Sequence, residues 1–332
     1  MTVVPVQEVD TMNSLVDGVF VGGWIPDAGD NDVPRLEKVV EIKTPGLVDL
    51  RAKCSPVENQ AQIGSCVANA IVGALEYHQI RNGAKMIDLS RLFVYYNARR
   101  LGDRIGQSGT TVQRAMAAIF GWGACPASMW PYQPAMVDER PTEDCYKAAD
   151  NLKGIQIAQT SWGAGCREAL ANGLPVAFGM NISMADFGAT RQGGRTGAIK
   201  PPIDGKWPEA EGGHAMLMVG YDDARRAWLV RNSWGTAWGD DGHVWIDYDY
   251  MNYYTDNGRR NAPFVVGQIQ DIRAYQVAGV SNRDFLAQAL SGAPAMVQEM
   301  RQHLGSDMDA NLSSARKGIR DRLRGPGAGG GY

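Results

Sequence analysis

No apolar run in this chain approaches the roughly 20 residues needed to span a bilayer, so membrane insertion is not expected. Charge of one sign is missing too. With 33 basic against 36 acidic side chains, the chain lacks the electrostatic footprint of a nucleic-acid binder. There is no Cys-x-x-Cys pair, and the four histidines (His78, His214, His243 and His303) stand far apart, which is a poor zinc pattern. Between Met1 and Leu15 no basic stretch leads into an apolar one, so no secretory signal is visible. A cytoplasmic protein, or one exported without a cleaved signal, is the expectation. Cysteines are few and odd in number: Cys54, Cys66, Cys125, Cys145 and Cys166. At least one thiol therefore stays outside any intramolecular disulfide. Cys125 and Cys145 could pair in an oxidising setting; without a secretory signal, two free thiols are expected.

What is present is an ordinary globular composition, 44% hydrophobic over 332 residues, with 40 glycines. Residues 1–45 are rich in Gly, Asp and Pro (Gly22-Gly23-Trp24-Ile25-Pro26, then Asp27 to Asp32) and read as an irregular leader. A folded domain is expected over 46–278. The first half of that domain has helical character. Ser65 is a plausible N-cap for a helix from Cys66 to Asn82, with Val67, Ala70, Ile71, Ala74 and Leu75 on one face and Gly83 at its end. Further helices are expected over 90–100 and 111–120. The second half changes period: 175–180, 215–219, 227–234 and 243–248 read as strands. Helices followed by strands imply an α+β fold with two lobes. Residues 279–332 form an extension. In it Met308, Leu312, Ala315, Ile319 and Leu323 make a narrow apolar stripe on a basic helix that could dock on a partner or pack on its own domain, before a Gly-rich tail.

Taken alone, Cys66 is most simply a small buried hydrophobe. Its place in the first turn of a helix, where the macrodipole and unpaired N–H groups favour a thiolate, gives it a second reading as a nucleophile. His78 lies 12 residues further along the same helix, about 18 Å away, and cannot serve it. His214 opens a buried strand behind Gly212-Gly213. The polar segment from Tyr221 to Arg226 reads as a hairpin loop; centred on Asp223, it sets His214 opposite Asn232, and a register shifted by two residues still keeps them on one face. An Asn so placed can orient the imidazole, completing a nucleophile–base–orienter set.

The stretch from Asn59 to Cys66 resembles the papain family of cysteine peptidases, as do Gly213-His214-Ala215 and Asn232-Ser233-Trp234-Gly235 with Trp238-Gly239-Asp240-Asp241-Gly242. The order Cys, His, Asn and the Cys-to-His separation of 148 residues agree with it. Val48-Asp49-Leu50-Arg51, Ser90-Arg91-Leu92-Phe93, Tyr95-Tyr96-Asn97, Cys125-Pro126 and Trp130-Pro131-Tyr132 are similar to the bacterial and phage-type branch.

The resemblance implies a two-lobed fold with helices in the N-terminal lobe, an antiparallel sheet or barrel in the C-terminal lobe and the active site between them. It implies hydrolysis of polypeptide substrates by Cys66, with His214 as acid and base, Asn232 orienting it and Gln60 in the oxyanion hole. It also implies substrate-binding roles for Gly109, Gly213 and Trp234, the last covering the His214–Asn232 hydrogen bond, and it implies no metal or other cofactor. Two departures stand out: Ile63 replaces the family's cysteine three residues before the nucleophile, and Val67 replaces the aromatic after it. A non-catalytic peptide-binding or scaffold protein on the same fold is the alternative. The leader is too short for the family's long helical inhibitory prodomain; residues 1–45 are expected instead to wrap the domain or to lie near the cleft as a short inhibitory segment.

Overall fold

The computed structural model describes residues 14–16, 19–27, 33–38, 41–149, 155–189, 197–256, 262–268, 275–279 and 281–290. The expected C-terminal stripe and tail lie outside them. Strands β1 (Ser14–Val16), β2 (Val19–Val21), β3 (Pro34–Lys38) and β4 (Leu47–Asp49) precede helices α1 (Cys66–Arg81), α2 (Arg91–Arg100), α3 (Val112–Trp122) and α4 (Glu143–Ala149). Next come β5 (Ile155–Gln159), α5 (Ala164–Ala171), β6 (Val176–Ile182), α6 (Met184–Ala189), β7 (Ala198–Ile199), β8 (Gly212–Asp222), β9 (Ala227–Arg231) and β10 (His243–Asp247). Helix α7 (Tyr248–Tyr254), β11 (Phe264–Gln268), β12 (Tyr275–Gly279) and α8 (Asn282–Leu290) complete the described chain.

The fold is α+β: four short strands precede helices α1 to α4, and the later strands alternate irregularly with the remaining helices. The main sheet runs β12-β3-β5-β11-β6-β8-β9-β10-β7, and β4 adds to β8. Its pairings are antiparallel except β3 with β5 and β7 with β10. Helix α1 lies between this sheet and helices α2 and α3. That position explains why it is buried on every side from Cys66 to His78 rather than along the one apolar face its sequence suggests. Glu76 tolerates such burial because Arg91 Nη2, Ser55 Oγ and the Leu89 N–H all donate to its carboxylate at 2.6–3.0 Å.

Three expectations need correcting. Residues 34–38 are a strand of the main sheet, paired with β12 and β5, so part of the leader is built into the domain. Its sequence, Pro-Arg-Leu-Glu-Lys, carries too much charge to read as a strand. The β8–β9 hairpin does not turn on Asp223. Asp222 Oδ1 accepts from the Ala224 and Arg225 N–H groups, Arg226 takes φ +54°, and a bulge between Met218 and Gly220 resets the register. Leu217 therefore faces Arg231, which is the register shifted by two residues and not the centred one, and β9 ends before Asn232. Lastly, Ser65 sits at the N-cap of α1 without capping it: its hydroxyl is engaged elsewhere.

Candidate active site

Cys66 opens α1, and its side chain is fully buried. The peptide N–H groups of Cys66 and Val67 in the first helical turn, and of Ala215 on β8, face the sulfur and favour its thiolate. Burial outweighs them and pushes the thiol up to about 12. Ala215 follows His214, so β8 brings the imidazole-bearing residue alongside the thiol.

His214 is likewise fully buried and paired through the backbone with Met180 of β6. Its Nε2 stands 2.7 Å from Asn232 Oδ1. Which end of the Asn232 carboxamide faces the ring is fixed by a second contact, because the Ser233 N–H donates to the same oxygen at 2.7 Å. An oxygen accepting there requires His214 Nε2 to carry the proton. Nδ1 is then the unprotonated nitrogen, and it has no hydrogen-bond partner among the described residues. A buried, unpartnered imidazole nitrogen is a base held ready for a proton. Burial lowers the ring to about 4, partly opposed by the bond to Asn232. In both groups the shift comes first from burial, which disfavours the charged form of each.

Gln60 is fully buried below the same region. Its N–H donates to the Ser233 carbonyl oxygen (2.8 Å), its Oε1 accepts from Ser233 Oγ (2.5 Å) and its Nε2 donates to the Ile63 carbonyl oxygen (3.0 Å). The carboxamide is thus fixed, with a second Nε2 proton left over. Ser233 was not legible as a site residue, yet it ties Gln60 and Asn232 together. Trp234 packs its ring 4.8 Å from that of His214 and is itself buried among Phe187 and Trp238. Its position is that of a cover over the His214–Asn232 pair, without open surface for a substrate.

The remaining expected residues, Gly109 and Gly213, meet the N-terminal segment. Gly23 passes so close to Gly64 that a Cβ on residue 23 would come within 2.6 Å of the Gly64 carbonyl oxygen. Trp24 N–H points to the Gly213 carbonyl oxygen at 3.4 Å, and its buried ring lies against Gly213 and Gly179, where no Cβ could be accommodated. Flanking bonds hold the strand in place: Thr110 N–H to the Gly23 carbonyl oxygen (3.1 Å) and Ile25 N–H to the Thr110 carbonyl oxygen (3.0 Å). A Cβ on residue 109, where Gly109 takes φ +80°, would stand 3.2 Å from the Gly22 and Gly23 carbonyl oxygens. Residues 22–25 therefore bridge the Cys66 side (Gly64) and the His214 side (Gly213), each within two residues of the expected pair.

Two other histidines among the described residues have structural partners: His78 Nε2 lies 2.7 Å from the Val266 carbonyl oxygen and His243 Nδ1 3.0 Å from that of Asp241. All five cysteines are free thiols. Among the described residues no group of three or more His, Cys, Asp or Glu side chains is placed to hold a metal. No helix among them is long and apolar enough to cross a membrane.

Comparison with known proteins bears on this geometry. An uncharacterised peptidase C1-like protein of Acanthamoeba polyphaga mimivirus is 28% identical over 204 residues, covering 58% of this chain and 64% of that protein. Human cathepsin L2 is 29% identical over 221 residues, 64% of this chain and 63% of the relative. The matches thus span less than two thirds of the length of these curated relatives. Among solved structures, xylellain, a cysteine protease from Xylella fastidiosa, superposes with a TM-score of 0.62 at 28% identity, over 75% of this chain and 96% of that one. The relatives come from a virus, a eukaryote and a bacterium. The family model described as papain family cysteine protease matches residues 44–259. That match takes in Gln60, Cys66, His214 and Asn232 alike, and the chain belongs to the papain family of cysteine proteases.

Proposed function

We propose that this chain is an active cysteine peptidase that hydrolyses peptide bonds of polypeptide substrates through a Cys66 thioester. The observation that carries the reading is the oriented imidazole: His214 Nε2–H is committed to Asn232 and Nδ1 is left without a partner. Nδ1 takes the thiol proton as sulfur attacks the scissile carbonyl carbon. The carbonyl oxygen, now anionic, is met by the Cys66 N–H and the remaining Nε2 proton of Gln60. His214 returns the proton to the departing amine and then removes one from the water that releases the acyl group. Asn232 holds the ring in one tautomer throughout.

The rival reading, a peptide-binding scaffold without turnover, is disfavoured by the presence of all four groups, since a non-catalytic descendant has no reason to keep a proton carrier with a free nitrogen. Cys66→Ala should abolish peptide cleavage while leaving the fold intact, and a thiol-directed epoxide should label Cys66 alone among the five cysteines. Undiminished turnover in Cys66→Ala would sink the assignment. The similarity to xylellain over nearly all of that bacterial protein supports placing the chain nearest the bacterial-type branch.

We further propose that residues 22–27 hold the peptidase closed. A segment seated between Gly64 and Gly213 competes for the space a substrate must enter to reach Cys66. Opening then requires the segment to leave or be cut, in a reducing cytoplasm or after export without a cleaved signal. Docking of the C-terminal helix on a partner stays a proposal resting on its sequence stripe alone.

A further inference from the structure

Three side chains that the mechanism above does not use connect its two oxyanion donors. Asn69, one turn into α1, donates through Nδ2 to Ser65 Oγ at 3.0 Å and to the Ser65 carbonyl oxygen at 3.1 Å. Ser65 Oγ lies 2.6 Å from Tyr132 Oη. Tyr132 Oη in turn donates to the Gln60 carbonyl oxygen at 3.0 Å. A phenol has one proton. Since Tyr132 directs it to Gln60, the proton of the 2.6 Å contact belongs to Ser65, and Ser65 in turn accepts from Asn69. Proton directions are thereby fixed along the whole row, Asn69 to Ser65 to Tyr132 to Gln60. Ser65, Asn69 and Gln60 are buried, and Tyr132 is half-buried where it joins them. Burial also raises the Tyr132 phenol well above its ordinary range and keeps it protonated as a donor.

The row spans the gap that matters. Ser65 is joined by one peptide bond to Cys66, whose N–H is one donor, and Gln60 carries the other. Ser233 holds Gln60 from the β9 side; Tyr132, from a separate segment between α3 and α4, holds it from the helical side.

We infer that Tyr132 is a positioning residue for the oxyanion site, setting through its hydroxyl the spacing between the Cys66 N–H and the Gln60 carboxamide. The inference rests on the peptidase reading above. It acts on the tetrahedral intermediate and not on the thiol, and that difference makes it testable. Full-length protein carrying Trp24→Ala serves as the parent in every comparison, so that the N-terminal segment does not limit access.

In that parent, Tyr132→Phe should lower kcat for a peptide amide about tenfold, the scale of one buried hydrogen bond, with KM within about twofold. Affinity for a peptide aldehyde, whose thiol adduct puts a tetrahedral oxygen in the same place, should fall in step with kcat. Alkylation of Cys66 by iodoacetamide should keep its rate, because displacement of iodide at a saturated carbon forms no oxyanion. Ser65→Ala, which breaks the row at its other link, should give the same split. Adding Gln60→Ala should cost the Tyr132→Phe variant less than it costs the parent, as for groups acting as one unit. An unchanged kcat, or equal losses in kcat and alkylation, would overturn the inference while the peptidase reading stands. A parent that alkylates but cleaves no peptide overturns the peptidase reading itself, and this inference with it.

Discussion

The indole of Trp24 lies so close over Gly179 that a Cβ on residue 179 would stand 2.0 Å from its Cε2 atom. A pocket floored by glycine on β6 and walled by Gly213 on β8 takes the whole ring, and the ring is buried there. Truncating a large aromatic anchor at the centre of such a contact removes most of what holds it. Trp24→Ala should therefore raise the rate at which Cys66 reacts with a thiol reagent by about tenfold or more, the scale of losing one such anchor. Gly179→Ala should do the same from the other side by expelling the indole. Unchanged labelling kinetics in both variants would mean that the segment does not control access.

The bond between His214 and Asn232 sets a second expectation. It is made to a group that becomes charged during turnover, so its loss should cost about 1.5–3 kcal/mol of transition-state stabilisation. Asn232→Ala should lower kcat about 10- to 100-fold with a smaller change in KM. Kinetics on a peptide amide check this. An Asp in place of Asn232 should shift the acid limb of the pH–rate profile upward, because a carboxylate beside Nε2 favours the imidazolium.

Gln60→Ala tests the oxyanion donors directly. Removing one preorganised donor typically lowers kcat by about two to three orders of magnitude. Because Gln60 also ties Ser233 to the Ile63 carbonyl, the variant should lose a few degrees of melting temperature as well. Full catalytic rates with a lowered melting temperature would make Gln60 a structural residue only.

How legible this was differs from residue to residue. Cys66, His214, Asn232 and Gln60 stand in short motifs whose spacing is visible in the chain, and helices α1 to α3 fall within the expected ranges 66–82, 90–100 and, save for two residues at its end, 111–120. The hairpin register was not legible, because a bulge at Met218/Gly220 leaves no mark in an unbroken apolar run. Neither was β3, whose alternation is hidden by charge, since both of its neighbours come from distant chain. Trp24 could not be placed for a related reason: the leader around it has no regular period, and the glycines that receive it lie 155 and 189 residues further on. Contacts of that kind are tertiary, and a local reading of sequence has no access to them.

Buried charge gives a stability test that does not depend on catalysis. Glu76, inside α1, accepts from Arg91, Ser55 and the Leu89 backbone, and Arg231 reaches Ser55 Oγ from β9 at 3.3 Å. Removing the carboxylate takes the one buried acid from Arg91, which keeps the more exposed Asp88 at 3.0 Å and Glu58 at 3.6 Å, and leaves the Ser55 hydroxyl and the Leu89 N–H without their acceptor, a loss of about 1–3 kcal/mol. Glu76→Ala should show that loss in denaturant unfolding, and Glu76→Gln a smaller one, because an amide still accepts from Arg91.

Asp27 gives the closed form a pH dependence. Its Oδ1 accepts from the Gln113 N–H at 3.2 Å beside Thr111, the N-cap of α3. Arg114 faces it, and Arg104 shares with it a cavity of about 520 Å³. Burial outweighs these favourable partners and raises the carboxyl from 3.8 to about 6. When the segment leaves, the carboxyl regains its ordinary value. The docked state thus binds the proton more tightly: the contribution to docking is fully present below about 3.8 and is lost as pH rises through about 6. Closure should accordingly weaken between pH 4 and 6.5. Asp27→Asn, a neutral mimic of the protonated acid, should lack this change. At pH 7.5 it should be severalfold less active than the unsubstituted protein, and at pH 4 the two should match. Parallel pH profiles for the two proteins across that window would remove Asp27 from any part in opening the site.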